Sequence, residues 1–560
     1  MPEHSAQMSQ HNQTTPWPDS PRTTTSISGF SDTDTEKLKM KLTSTSSMPP
    51  TPDRVNFVTA AGKLEGTTED MDKDWEVDLE NPRNWPAGKK WTVTIIGSLH
   101  AFCPIMASTM MAPGLPDVAI KYGITNPTVV ALTLSIFLLS YGVGPLVFGP
   151  LSEIYGRTWV LHISNICTAA FNLGCAFSPN TGSLVAFRLL SGFTGGASLA
   201  IGGGLLPDLF AEADRGAPMA VFMLGMLIGP VVGPVTGGFI AQEVGIKWVF
   251  IALACLCGFA SLIGIPLFRE TYAPIVRLRK ATRSNDPEAA KKVYASFPHA
   301  NEHMLGYLLL NLIRPVNLLF RSMICFMFSL YLAFQFGIYY LMFSTFADFF
   351  SRTYGFSVGI GGLAYLGLGI GFASATMFGA KFVDRTYAHL SSKNGGVGKP
   401  EMRIPCALVG AVIIPVGVFW YGWSAQAKLH WIMPIIGSAI FGFGMMTTYL
   451  PIQLYLVDTF TYAASATAAF SLFRSWLGFA FPLFGTQMLD AMGQGGGNSL
   501  MAGLAIVLGI PFPIWIYFKG EEMRARNPLT SASVKSRPIS VASNSTDSEA
   551  LGASISKKPS

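Results

Sequence analysis

Few side chains in this chain are placed to do chemistry, and Arg188 is the first of them. It opens an otherwise apolar stretch, RLLSGFTGGASLAIGGGLL. A charge inside such a segment is costly and usually faces a cavity or a partner. Arg188 can therefore hold a carboxylate or carbonyl and release it as protons bind, or it can be a structural arginine on backbone carbonyls across helices. Arg474, in a later apolar segment, is a candidate of the same kind. The carboxylates Asp117, Asp208, Asp348, Asp458 and Asp490 all fall near the ends of apolar runs, so none is expected at mid-depth. Asp117 and Asp208 are the ones placed to exchange protons, with loop solvation as the other reading. His100 and His162 lie within apolar runs and can titrate near neutral pH, or simply pack with a hydrogen bond.

The elements that position these groups are long apolar helices. Gly225, Gly229, Gly233 and Gly237 recur every fourth residue, with Pro230 and Pro234 beside two of them. Positions four apart share a helix face, so the glycines form a stripe without side chains. In lipid such a stripe lets two backbones approach closely. Proline bends the helix, which neighbours in a membrane tolerate by re-satisfying the freed groups. On another apolar run, SLYLAFQFGIYYLMFSTF, Tyr331, Gln335, Tyr339 and Phe343 recur at helical spacing. They offer aromatic faces with a few polar tips, suited to bulky amphipathic ligands, or else to interhelical packing.

Composition points the same way. Of 560 residues, 50% are hydrophobic and only 13% charged, against about a quarter charged in a typical soluble domain. A net charge of +6, spread along connections, gives no reason to expect nucleic-acid binding. Seven cysteines lie in apolar segments without metal-ligand spacing and read as small buried hydrophobes. The sequence predicts an all-α membrane protein of twelve transmembrane helices in two six-helix halves. The expected boundaries are a disordered tail at 1–80, a first half at 81–268, a central loop at 269–316, a second half at 317–518 and a second disordered tail at 519–560. Within the central loop, RLRKATRSNDPEAAKKV reads as a surface helix; residues 381–402 read as a basic loop. Lys and Arg concentrate in the loops that share a side with the tails, which places both termini in the cytosol. The sequons at Asn12 and Asn544 then stay unmodified, and a serine site at Ser540 reads as part of a solvated tail.

Two six-helix halves with a central loop resemble the major facilitator superfamily of secondary transporters. Gly149-Pro-Leu-Ser-Glu153-Ile-Tyr-Gly156-Arg157 is similar to its signature between the second and third spans, with Glu153 where aspartate is usual. Arg188-Leu-Leu-Ser-Gly192 is similar to the fourth-span motif that the family associates with proton coupling. Gly229 and Gly233-Pro234-Val-Thr-Gly237-Gly238 resemble the fifth-span antiporter motif of the family's exporters, with Ala220 replacing one upstream glycine. NPRNWP, RETYAP and PIQLYLVDTFTYAASATAA are similar to fungal drug:proton antiporters, a group that includes multidrug, polyamine and secondary-metabolite exporters.

The resemblance implies export of a small hydrophobic or amphipathic compound by proton antiport, with one half rocking against the other. A proton-coupled uptake carrier for a nutrient or polyamine is the alternative. Glu153 and Arg157 would form a latch made in one state only, or remain snorkelling loop charges. The expected partners are a small molecule, the proton and the bilayer, with no nucleic acid, no metal and no cofactor beyond the proton gradient. A monomer in the cell membrane is expected, with a vacuolar or vesicle membrane as the alternative. An ATP-driven pump is disfavoured because Gly395-Gly-Val-Gly398-Lys399-Pro400 lacks the phosphate-loop pattern. No spacing suggests an enzyme.

Overall fold

The structure, a computed structural model, describes residues 75–211, 214–284, 287–295, 297, 304–460, 463–527 and 530. Ser540, Asn12, Asn544 and all but 75–80 of the expected N-terminal tail lie outside the described residues. The first half comprises α1 (Ala87–Thr109), α2 (Pro127–Tyr155), α3 (Arg157–Ala176), α4 (Thr181–Leu209), α5 (Gly216–Val244) and α6 (Ile246–Leu267). The second comprises α7 (Met323–Tyr354), α8 (Leu366–Lys393), α9 (Ile404–Gln426) and α10 (Ile432–Thr459). It is completed by the stretch Ala463–Gly509, which breaks at Gly493 (φ 72°). That break separates α11 (463–492) from α12 (494–526), which is jointed before Pro511 and takes in 519–526 of the expected disordered tail, where Arg524 is buried. Only glycine adopts such a φ without strain, so the turn between the last two spans falls there.

Among the described residues ten stretches are long and apolar enough to cross a membrane. One of them, Ala463–Arg526, holds both α11 and α12. The less apolar α3 falls outside that set and packs between α4 and α6. Twelve helices in two sets of six result. Their starts follow from local chemistry. The Asn126 side chain accepts from Thr128 N with Pro127 at the first helical position, and Asn180 and Ser183 cap α4 reciprocally. Ser322 accepts from Cys325 N to open α7. Each cap satisfies a donor that the helix start would otherwise orphan.

The expected central loop is largely helical. Residues 273–283 and 287–295 form two short helices where one was expected, and a third, Met304–Arg321, runs past the expected boundary at 316/317. Its apolar residues recur at a helical period that merges with those of the seventh span, and Ser322 is the cap that divides them. The loop expected at 381–402 is shorter than that, because α8 continues to Lys393. Its polar last turns carry the helix out beyond the apolar run. The connection between α2 and α3 reduces to Gly156, and α4 runs through Asp208 to Leu209.

The halves meet along two seams, α2 against α11 and α5 against α8 together with the short helix Val358–Leu363 that leads into it. In the first, Gly142 leaves room for Ser475, and the Thr128 hydroxyl donates to the Gln487 amide oxygen at 2.6 Å. In the second, Gly362 seats against the Pro234 carbonyl and Gly359 donates its N–H to Gln242 at 3.0 Å. These contacts run from mid-bundle to the face opposite the 269–321 connection, here called the far face. The second half is organised around α7, whose Phe328, Tyr331, Phe343, Phe346 and Phe350 are sealed from solvent.

Candidate functional site: two charged clusters and a seam arginine

At the face carrying the 269–321 connection, α2 ends at Tyr155 and α3 starts at Arg157, with Gly156 (φ 96°) between them. The turn brings the start of α3 onto the Glu270 carboxylate, which lies so close to Gly156 that a Cβ there would overlap it. Glu270 Oε1 accepts from Arg157 N at 2.9 Å and from Thr271 N and Tyr272 N at 3.2 Å each. Oε2 accepts from Thr158 N at 3.4 Å. A carboxylate here satisfies the orphan donors of the first turn and complements the helix dipole. Arg279 stands 3.7 Å from the same carboxylate.

The Arg157 side chain turns the other way. Its Nε pairs with Asp208 Oδ2 of α4 at 3.2 Å, Nη1 donates to Ser152 Oγ at 2.9 Å, and the Tyr272 ring covers it at 5.0 Å. The Thr271 hydroxyl donates to Asp208 at 3.4 Å. Glu153 does not meet Arg157; it accepts from the Tyr307 hydroxyl at 2.6 Å, on the helix Met304–Arg321. Burial, and then the neighbouring Glu153 carboxylate, push the Tyr272 phenol up to about 12. Burial and the hydrogen bond to Glu153 push Tyr307 up as well. Both phenols are therefore neutral at pH 7. The residues expected as a latch thus belong to one cluster with Asp208, and that cluster reaches the connecting helix.

The second half repeats the pattern. Arg403, just before α9, pairs with Asp458 near the end of α10 at 2.8 Å, under the Tyr387 ring at 4.6 Å. Arg524 of α12 holds Glu401 through two bonds of 2.7 and 2.9 Å, a bidentate buried pair.

Arg188 lies fully buried on α4. Its Nη1 donates to Ala107 O of α1 at 2.6 Å, Nη2 to Leu134 O at 3.1 Å and Nε to Thr133 O at 3.3 Å, both on α2. Phe137 covers the guanidinium at 4.9 Å. Among the described residues no carboxylate lies within ion-pair distance of it. Ala107 is in the last turn of α1, where carbonyls lack helical partners, and Arg188 supplies one. Of the two readings of Arg188, the contacts are those of carbonyl pairing. Asp117 sits in the first turn of the short helix Leu115–Tyr122 at the far face, beside Lys121, Gln242 and Lys247. His100 and His162 meet edge to face at 5.3 Å, inside the first half under Phe268.

The antiporter-like stripe is a packing surface. A Cβ at Gly225 would lie 2.5 Å from Ser98 O, and one at Gly229 2.5 Å from Ile105. At Gly233 and Gly237 it would overlap Thr109 and the Met110 carbonyl. All four therefore face α1, and the Ser98 hydroxyl fastens the contact by donating to Val221 O and Phe222 O. Pro234 and Gly238 face the other way, toward Gly362 and Val358 of the second half.

The expected α7 face packs within the second half. Tyr331 lies against Gly509, Gln335 accepts from Thr448 at 2.8 Å, Tyr339 meets Phe372 at 5.5 Å and Phe343 meets Tyr365 at 4.7 Å. The adjoining face of α7 is the one turned to the seam: Tyr340 donates to Ser108 of α1 at 3.0 Å, and Phe336 lies 4.5 Å under the Arg474 guanidinium. Toward the far face a cavity of about 610 Å³ opens between the halves, lined by Val130 and Ala131 from one and Thr345, Asp348 and Gln426 from the other.

Glu270, Tyr307, Phe336 and the Arg403–Asp458 pair were not expected as site residues. Glu270 is 113 residues from the backbone it caps, so only RETYAP as a motif pointed to it. Asp458 carried a usable signal, since it ends its helix as Asp208 does.

Residues 98–482 match the family model described as Major Facilitator Superfamily. The chain is 42% identical to efflux pump vrtL of Penicillium aethiopicum, over 83% of this chain and 94% of that protein. It is 39% identical to efflux pump radE of Floropilus chiversii, over 86% and 90%. Among solved structures, the xylose transporter XylE from E. coli, in a partially occluded inward open conformation, superposes with a TM-score of 0.55. That match covers 77% of this chain and 99% of XylE at 13% identity, a likeness of fold.

Proposed function

The chain belongs to the major facilitator superfamily, and from that premise we propose that it exports small hydrophobic or amphipathic organic compounds by proton antiport and alternating access. The observation that carries the direction is the α5 stripe, seated along its length on α1 while Pro234 and Gly238 of the same helix meet the second half. The glycines and prolines of that helix resemble the fifth-span motif of the family's exporters, and relatives named as efflux pumps support the same direction. The rocking halves would open and close across the α2–α11 and α5–α8 seams, with substrate between them. Glu153, Arg157, Asp208 and Glu270 would be the latch on the cytosolic side, and Asp117 and Asp208 the groups that meet protons at the two faces. The protein would work as a monomer in the cell membrane with both termini in the cytosol.

Accumulation of a panel of toxic hydrophobic compounds in expressing cells tests this, for wild type and Arg188→Ala at matched protein level. Lower accumulation with wild type, abolished by a protonophore and by the substitution, is expected. Higher accumulation with wild type would make the protein an uptake carrier.

A further inference from the structure

We infer that Arg474 is an anion receptor at the seam, and that the exported compounds are organic acids, a carboxylate or ionised acidic hydroxyl on an aromatic or alicyclic skeleton. The inference rests on the export reading and narrows its substrate class.

Arg474 lies on α11, one residue before Ser475, which fits against Gly142 of α2 in the opposite half. The guanidinium is within electrostatic range of Tyr141, also on α2, which puts it at the seam, where alternating access would expose a ligand to either side. Two rings face it, Phe336 of α7 at 4.5 Å and Tyr449 of α10 at 5.6 Å. Rings satisfy the face of a guanidinium by cation–π attraction, whereas its N–H donors lie in the plane and need acceptors there. Among the described residues no protein acceptor meets the Arg474 side chain: its Nε is sealed from solvent without a hydrogen-bond partner, and no carboxylate pairs with its half-buried guanidinium. Arg188 shows the contrast, because all three of its nitrogens are used on carbonyls.

A half-buried cation with a sealed, unpartnered N–H is costly, and that cost falls when a ligand supplies the acceptor and the opposite charge. The planar fork of arginine matches a carboxylate in two parallel bonds. The neighbouring polar groups are neutral: Tyr141 is within electrostatic range of Arg474, as is Tyr340. Among the described residues no carboxylate offsets the charge at this depth, since Asp348 and Asp490 border the far-face cavity and Asp208 and Asp458 end their helices at the opposite face. A cationic ligand would meet repulsion here, so the same geometry that admits an acid disfavours a polyamine.

The test uses the purified full-length protein in lipid nanodiscs and three probes of one skeleton: 1-pyrenebutanoate, its carboxamide, and 4-(1-pyrenyl)butylamine. Energy transfer from tryptophan to pyrene reads binding. The carboxylate is expected to bind at least about tenfold more tightly than the amide, with the amine weakest. Arg474→Gln should bring the carboxylate to the affinity of the amide while leaving the amide unchanged, and Arg474→Lys should keep part of the preference. Equal binding of carboxylate and amide to wild type, no binding of the carboxylate, or an equal loss for both probes in Arg474→Gln would overturn the inference. Monodisperse elution of both variants checks folding. Efflux of the same probes from preloaded cells separates the two readings. Equal outward transport of all three sinks the anion receptor and leaves export standing, while a carboxylate preference without outward transport does the reverse.

Discussion

Adding a single methyl group at Gly237 is expected to weaken the protein more than the same addition elsewhere on the α5 stripe. The new Cβ would overlap the Met110 carbonyl oxygen and stand 2.8 Å from its carbon. At Gly225 it would stand 2.5 Å from Ser98 O, about 1 Å short of ordinary contact near 3.5 Å. A backbone carbonyl cannot step aside, so α5 must move off α1 along its length. At Gly229 the obstacle is the side chain of Ile105, with Cγ2 at 2.5 Å and Cβ at 2.9 Å, and no backbone atom comes as near. Overpacking of this kind costs about 1–3 kcal/mol; Gly237→Ala and Gly225→Ala belong at the upper end and Gly229→Ala at the lower. Gly258 of α6 is the control, because a Cβ there meets nothing within 4 Å, and its replacement by alanine should leave stability unchanged or raise it by up to about 1 kcal/mol. Purified variants in one detergent, heated and followed by fluorescence-detected size exclusion, should lose monodisperse protein in the order Gly237, Gly225, Gly229, with Gly258 at or above wild type. Efflux at matched expression should fall in the same order. Equal midpoints for Gly237→Ala and Gly258→Ala would refute the claim that the stripe is a close-packed contact.

Three further outcomes follow from the charged cluster. Asp208→Asn leaves Arg157, with only about a tenth of its side chain exposed, without its counter-charge; a loss on the order of 3 kcal/mol is expected in the same thermal assay, together with reduced efflux. Glu270→Gln keeps the shape of the α3 cap but removes its charge from the helix start, and should cost about 1 kcal/mol, read as a lower thermal midpoint. Tyr307→Phe deletes the hydrogen bond to Glu153 at a cost of about 1 kcal/mol, and hydrogen exchange should rise in peptides spanning 304–321 while those of α7 stay unchanged.

The fold was legible because its signals are local. Apolar length gives the spans, and the caps at Asn126, Asn180 and Ser322 lie beside the helices they open. The connection after α6 was less so, since Met304–Arg321 is amphipathic and its apolar residues run into those of α7 without a polar break. The candidate site divides in the same manner. The glycine stripe could be read from spacing, because one face of one helix defines it. Which face of α7 meets the seam could not, because aromatic residues surround that helix: Tyr339 and Tyr340 are adjacent, equally buried, and point to different neighbours. Glu270 and Tyr307 act on residues more than a hundred positions away, where no periodicity reports a contact.

The contacts of α1 show why Arg188 and the stripe belong to one device. The Ala107 carbonyl takes Arg188 at 2.6 Å, the Ser98 hydroxyl fastens α5, and Thr109 and Met110 form the seat for Gly233 and Gly237. Between these, Ser108 accepts from Tyr340 of the second half at 3.0 Å. A displacement of α7 would thus be felt first at Ser108, beside the residues that bind α4 and α5 to α1. A guanidinium engaged on three carbonyls cannot pass to a carboxylate without opening that junction, and an opened junction leaves carbonyls in a dry interior without donors. Arg188 is therefore suited to hold α1, α2 and α4 as one body through the proposed cycle. Arg474 differs from it, because its Nε has no partner, and Arg157 differs because its counter-group is a carboxylate, Asp208.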